Sequence, residues 1–363
     1  MRKLLAFAAC GALVIGVAAC GSSNKSSTSK SAGGGGSLNG AGATFPEPVY
    51  DEFASRFKDK TGTTVNYQGI GSGGGVAQFT AGTVDFGASD AAMTDDEVKA
   101  ASKKGTPVHV PSVFGAVTVS YNLPGVPKGL KLDGATIANI FLGKVKKWND
   151  PSIAKGNSSA KLPSTSITVC HRSDESGTTK LFTSFLAAYS PQWKSGPGVD
   201  KTVKWPTGTG AKGNDGVAAC VKQNQGAVGY VEQAYALQNN FTTADVKNKS
   251  GNYVAPNLKS TSAAGAGVKV PSDLRFSAID SPGPTAYPIA SGTFLLVYQD
   301  MCKAGKSKAQ AQKIANWLAY VVGPGQQIAP TLQYAPLPAP ILSKAKAKVA
   351  SLTCNGTPLR GHA

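Results

Sequence analysis

Two periodicities alternate along most of the chain. Thr63–Gln68 reads as a strand, and Val76–Ala81 as the start of a short helix. Further strands are expected at Val84–Ala88, Ala116–Tyr121, Ser166–Cys170, Ala227–Val231 and Phe294–Tyr298. Helical spacing runs through Glu47–Phe57, Thr178–Tyr189 and Ala309–Val322, the last stopped by Gly323-Pro324-Gly325. Strands interleaved with helices predict α/β layers with sheets covered on both faces. No internal repeat is visible.

The first residues follow another pattern. Arg2 and Lys3 precede an apolar run, Leu4–Ala19, that is too short for a comfortable membrane span. Residues 1–19 read as a signal peptide. The run ends in Val17-Ala18-Ala19-Cys20-Gly21, which resembles a bacterial lipobox and implies a lipidated Cys20. Cys10 also follows two alanines but lies too near the start to leave an apolar segment before it. Residues 20–37 are mostly Ser, Gly, Lys, Asn and Thr, so a flexible tether is expected there. What remains, about 325 residues, exceeds one compact core and suits two lobes. It contains no second hydrophobic span, so the mature part is expected to be soluble; the signal segment and Cys20 place it outside the cytoplasm, held at the outer face of the membrane by lipid.

Formal net charge is +17, with two of the positive charges on Arg2 and Lys3. The lysines are scattered and not interleaved with aromatics, so nucleic acid is not the expected partner. The field modestly favours anions. Setting aside Cys10 and Cys20 leaves Cys170, Cys220, Cys302 and Cys354. In an oxidising compartment they suggest two disulfides, with three possible connectivities. Cys170–Cys220 with Cys302–Cys354 is favoured, because each pair closes within one lobe. A zinc site lacks both Cys-x-x-Cys spacing and histidines beyond His109, His171 and His362, so no metal and no cofactor are expected.

Three loops suit an anion. Gly40-Ala41-Gly42-Ala43-Thr44-Phe45-Pro46 precedes a helix and offers backbone N–H groups and the Thr44 hydroxyl at a positive helix end. The plain alternative is N-capping by Thr44. Gly69-Ile70-Gly71-Ser72-Gly73-Gly74-Gly75 lies between a strand and a helix. It matches G-x-G-x-x-G at Gly69, Gly71 and Gly74, a dinucleotide pattern, with Asp90 further on. An exported chain argues against a nicotinamide ligand, and the same geometry serves a free oxyanion. Arg172-Ser173-Asp174-Glu175-Ser176-Gly177-Thr178-Thr179 opens an apolar helix. Ser176, Gly177 and Thr178 supply donors, Arg172 a planar fork, and Asp174 a carboxylate to hold that fork.

Asp90, in Gly87-Ala88-Ser89-Asp90, is an odd neighbour for an anion. Monohydrogen phosphate can donate its proton to such a carboxylate, whereas sulfate has none. Sulfate would leave two desolvated acceptors facing each other, at a cost on the order of a few kcal/mol. The competing reading is a cap for a helix over Ala91–Val98.

Taken together, Gly40–Pro46, Asn66–Ser72, Val84–Asp90 and Arg172–Thr178 resemble signature segments of the phosphate-binding protein of the phosphate ABC importer. Lys204-Trp205-Pro206, Gly213-Asn214-Asp215-Gly216 and Gly226–Glu232 do so as well, in the family's order. The resemblance implies an α/β, two-lobed periplasmic-binding-protein fold of type II, each lobe a mixed sheet flanked by helices, with a two-segment hinge near Val113–Thr118 and Tyr287–Gly292. One lobe would take residues 38–114 plus 288–363, the other 115–287. It implies phosphate held by Thr44, Phe45 through its backbone, Ser72 and Asp90 from one lobe and by Arg172, Ser176, Gly177 and Thr178 from the other, with Asp174 pairing the arginine. The implied partners are inorganic phosphate, the permease subunits of the importer and, through lipid, the membrane; a monomer is expected. The chain departs from the family at Glu175, where glycine is common, and the extra charge either weakens binding or faces solvent.

Catalysis is not expected. No G-x-S-x-G occurs, His171 beside Arg172 is the one histidine near the proposed site, and no carboxylate/His cluster suits a phosphatase. A structural surface lipoprotein would need neither Arg172 nor Asp90. A different oxyanion on the same fold is disfavoured by Asp90 when that ion is fully ionised.

Overall fold

A computed structural model describes residues 35–362. The expected signal segment, Cys20 and most of the tether lie outside them. Ser37, expected as the last tether residue, is instead the first of strand β1 (Ser37–Gly42), paired with Thr64. Among the described residues no helix is long and apolar enough to cross a membrane.

The strands follow in order: β2 (Thr64–Gly69), β3 (Phe86–Ser89), β4 (Pro107–Tyr121), β5 (Lys131–Leu132), β6 (Thr168–Arg172), β7 (Thr209–Ala211), β8 (Ala227–Glu232), β9 (Thr242–Thr243), β10 (Asp245–Lys247), β11 (Tyr253–Val254) and β12 (Ala290–Tyr298). The main sheet runs β2-β1-β3-β12-β4-β8-β6-β7, with β9 on β4. β1 is parallel to β2 and β3, and β6 is parallel to β7 and β8. The parallel trios are joined through antiparallel β12 and β4. A small second sheet, β11-β10-β5, lies beside the β6 half.

β4 makes the join. It begins at Pro107, earlier than expected, and pairs with β12 as far as Ala116. From Val117 onward it pairs with β8. One strand therefore belongs to both halves. Its partner β12 carries a register shift between Gly292 and Phe294. Such a bulge re-aims the local side chains.

Helices cover the sheet with one apolar face each. Glu47–Thr61 buries Val49, Tyr50, Phe53 and Phe57 and ends at Gly62, whose left-handed φ of 73° turns its N–H back to Lys58 O. Gly177–Tyr189 buries Leu181, Phe182, Phe185 and Leu186 and is capped by Ser176. Phe276, far along the chain, stacks on Phe114 and packs edge-on against Phe294, so the segment before β12 lies on the β4/β12 side. Two disulfides close loops, Cys170–Cys220 between β6 and the helix Gly213–Gln223, and Cys302–Cys354 beyond β12.

Candidate anion-binding site

Every element of the site starts at the end of a strand. The chain leaves β1 into Ala43-Thr44-Phe45, leaves β2 into the helix Ser72–Ala81, and leaves β3 at Asp90. From the other half, β6 ends in Arg172 and runs into the helix Gly177–Tyr189, and β7 runs into Gly213–Gln223. Thr44, Ser72, Asp90, Arg172, Ser176 and Thr178 are all buried.

Their contacts cross between the halves. Asp90 Oδ2 lies 3.5 Å from Ser72 Oγ and 3.5 Å from Thr178 Oγ1, while its N–H donates to Ser72 Oγ at 3.2 Å. A Cβ on Gly177 would stand 2.3 Å from Ser72 Oγ and 2.8 Å from the Asp90 carboxylate, so glycine there permits the approach. The Arg172 fork donates through Nε to Asp174 Oδ1 at 2.6 Å and through Nη2 to Oδ2 at 2.5 Å. Its Nη1 remains directed at Thr178 Oγ1, 3.4 Å away. Gly213 N–H also donates to Asp174, at 3.1 Å. The Arg172 N–H donates to Tyr230 Oη at 3.1 Å, and that phenol is bonded to Thr179 Oγ1. His171 stacks on Trp205 and does not enter the cluster.

Three plain readings of these residues change on the structure. Asp90 caps no helix. The next one is Asp95–Ala101, capped by Thr94 in a reciprocal box with Glu97. Thr44 does not cap Glu47–Thr61 through its side chain; its Oγ1 accepts from Asn214 N–H at 3.2 Å and Nδ2 at 2.9 Å. The glycine-rich loop is shorter than its sequence suggests, because Ser72-Gly73-Gly74-Gly75 already form the first turn of a helix. Close packing explains the glycines: a Cβ on Gly75 would lie 2.5 Å from Ala88 O and 2.5 Å from Gly42 Cα. Gly177 packs against Ser72 and Asp90 across this turn.

The electrostatics divide the two carboxylates. Burial pushes Asp90 up to about 7, against the opposing pull of the Thr293 hydroxyl and the Arg172 charge. Thr293 sits at the β12 bulge and donates to Asp90 Oδ1 at 3.0 Å. Burial also acts upward on Asp174, but the hydrogen bonds and charge of Arg172 outweigh it and hold this carboxyl below its ordinary range. One acid is therefore poised to exchange a proton near neutrality, and the other is a fixed anion bound to its arginine. Neither the Thr44 nor the Phe45 N–H bonds to a protein acceptor among the described residues.

Residues 27–324 match the PBP superfamily domain. The chain is 42% identical over 314 residues to the phosphate-binding protein PstS of Pasteurella multocida (strain Pm70), covering 86% of this chain and 89% of that one. The chain belongs to the PstS family of phosphate-binding proteins. PstS of Haemophilus influenzae (strain ATCC 51907 / DSM 11121 / KW20 / Rd) is 40% identical over 315 residues, covering 86% of this chain and 92% of the relative. Among solved structures, a high-affinity periplasmic phosphate-binding protein (PfluDING) bound with phosphate at pH 8.5 superposes with a TM-score of 0.71 at 22% identity, covering 88% of this chain and 96% of that one. The fold is the two-lobed periplasmic-binding-protein fold, as the resemblance implied.

Within this PstS-family frame the structure adds residues to the cluster. Asn214 is fully buried, donates to Thr178 Oγ1 at 3.2 Å as well as to Thr44, and accepts the Glu232 N–H at 2.9 Å. The glycine-flanked turn Gly213–Gly216 was its only sequence signal. Thr293 had none, because a bulge opposite β4 is invisible in one strand's sequence. Glu175 is exposed, yet its backbone carbonyl accepts the Gly73 N–H at 2.9 Å and its side chain crosses the Gly73 Cα. The PstS-family departure at this position therefore touches the opposite half.

Proposed function

We propose that the chain captures inorganic phosphate outside the cytoplasm and passes it to an ABC importer, without catalysis. Thr44, the Phe45 N–H, Ser72 and Asp90 hold it from one lobe; Arg172, Ser176, Gly177 and Thr178 hold it from the other, with Asp174 orienting the arginine. The observation that carries this reading is Asp90, a buried acceptor set among donors and poised near neutrality. Monohydrogen phosphate satisfies such an acceptor with its own proton, and sulfate leaves it unpaired. The names of the relatives agree in kind.

The lobes meet at β4. The change of partner along β4, from β12 at Ala116 to β8 at Val117, supports a first crossover in the expected Val113–Thr118. Phe276 packs with Phe114 and Phe294, and the helix Leu258–Ala266 precedes it. The stretch that leads into the expected second crossover, Tyr287–Gly292, touches both halves: Tyr189 donates to Asp280 and Asn248 donates to the Gly283, Pro284 and Ala286 carbonyls, so the proposed second lobe keeps residues 115–287. The lipid at Cys20, the outer face of the membrane and the monomeric state complete the proposal and rest on the sequence.

Calorimetric titration of ligand-stripped protein with phosphate and with sulfate at neutral pH tests the reading. One phosphate per chain with no sulfate heat supports it. Equal affinity for both ions removes the role given to Asp90, and no binding of either by folded protein removes the function.

A further inference from the structure

Three consecutive carbonyl groups in the loop after β1 each receive a tyrosine hydroxyl. Tyr67 donates to Ala43 O, Tyr235 to Thr44 O and Tyr334 to Phe45 O, each at 2.6 Å. The three phenols come from unrelated places: β2, the helix Gln233–Gln238, and the turn after Leu332. They share only their target.

We propose that Tyr67, Tyr235 and Tyr334 are positioning residues for the phosphate site, acting through the peptide groups of residues 43–45. This rests on the functional reading above. The physical reason lies in the peptide unit. A trans peptide carries its C=O and the following N–H on opposite sides. Tying Ala43 O and Thr44 O to phenols therefore turns the Thr44 and Phe45 N–H groups the other way, and these are the two that find no protein acceptor. The same bonds remove carbonyl oxygens, which would repel an anion, from its approach. A carbonyl that accepts a hydrogen bond also polarises its own peptide, making the attached N–H a better donor.

The loop needs outside help to adopt this shape. Phe45 O is followed by Pro46, which has no N–H, and the helix that follows has no side-chain cap. Ala43 N–H is held by Ala88 O, while Ala43 O has the Tyr67 phenol. Burial raises all three tyrosines above their ordinary range, so the hydroxyls stay protonated donors through physiological pH. The Tyr334 hydroxyl also lies 2.8 Å from Glu232 Oε2, and burial pushes that carboxyl well up, toward its neutral form. The phenol has one hydrogen, which Phe45 O at 2.6 Å and Glu232 Oε2 at 2.8 Å share as acceptors. Tyr235 differs from the other two because it reaches Thr44 from the β8 half, so its contribution depends on how the halves meet.

Tyr→Phe substitutions at the three positions keep the rings and delete only the donors. Each variant is titrated with phosphate, and amide nitrogen resonances are recorded on the phosphate-bound protein. The expected result is a loss of affinity of about five- to tenfold for Tyr67→Phe and for Tyr235→Phe, and a smaller loss for Tyr334→Phe, whose carbonyl belongs to the Phe45–Pro46 peptide and carries no N–H. It should be accompanied by an upfield move of the Phe45 amide nitrogen in Tyr235→Phe and of the Thr44 amide nitrogen in Tyr67→Phe. General destabilisation would not move those two resonances selectively. Parental affinity in every folded variant overturns the proposal, as does lost affinity with both resonances unmoved. Should one variant fail to fold, the others decide, since each phenol serves a separate carbonyl. A parent protein that takes no phosphate would overturn the functional reading and this one together; a binding parent with unaffected variants would overturn this one alone.

Discussion

Lys201 meets Glu97 in an ion pair that joins the two halves of the protein. Lys201 is buried and its carbonyl accepts the Ser176 N–H, so it is built onto the Arg172–Thr178 segment; Glu97 belongs to the helix after β3. The pair lies outside the proposed phosphate contacts and ties their two sides together. Replacing Lys201 with Met removes the cross-link while keeping the apolar stem. Phosphate should then dissociate faster by about tenfold, with little change in association. Stopped-flow measurement with a fluorescent phosphate trap reads both rates, and an unchanged dissociation rate contradicts the latch.

Asp90→Asn replaces a carboxyl that, when ionised, only accepts with an amide that always carries donors. Phosphate affinity should fall, and sulfate affinity should rise by about ten- to a hundredfold, as one unpaired buried acceptor is relieved. The same variant isolates a pH effect. The Asp90 pKa in the folded, ligand-free protein is raised to about 7 from an ordinary value of 3.8, so the native state holds the proton longer than the unfolded chain. Stability from this group is complete below the unfolded value and is lost as pH rises toward 7. Thermal melts of ligand-free protein should therefore decline with pH across that window more steeply for the parent than for Asp90→Asn. Parallel curves would contradict the assigned shift.

Asp174 runs the opposite way. Arg172 holds its pKa below the ordinary carboxyl range, so its stabilising contribution is present at neutral pH and disappears as pH falls through that lowered value. Asp174→Asn leaves the buried guanidinium without its partner. Phosphate affinity should drop by about ten- to a hundredfold as the fork loses its orientation. Titration calorimetry checks the affinity, and acid melts check that the variant has lost the low-pH part of the parent's profile.

Gly73 and Glu175 should be coupled. A Cβ on Gly73 would fall 2.1 Å from Glu175 Oε2 and 2.6 Å from Glu175 Cβ. Gly73→Ala should weaken phosphate binding by holding the halves apart, and Glu175→Gly in the same chain should restore most of it. A double-mutant cycle on phosphate affinity measures the coupling; additive effects would mean that the two residues do not obstruct each other.

Features with a local physical cause were legible in the amino-acid order. Apolar spacing marked most strands from Thr63 to Tyr298 and several of the helices they feed, but it missed β1, whose glycines read as a loop, and the first half of β4, where prolines hide a strand whose hydrogen bonds come from neighbours. Thr44, Ser72, Asp90, Arg172 and Thr178 were legible because glycine turns, hydroxyls and one arginine recur at strand ends, where donors are free. The tertiary structure alone decided what depends on residues distant in the chain. It placed Asn214 between Thr44 and Thr178, turned Thr293 toward Asp90 through a bulge, paired Lys201 with Glu97, and brought Tyr67, Tyr235 and Tyr334 to three neighbouring carbonyls. Nothing local in those residues announces such partners, because a hydrogen bond or ion pair exists only once folding has closed the chain between its two ends.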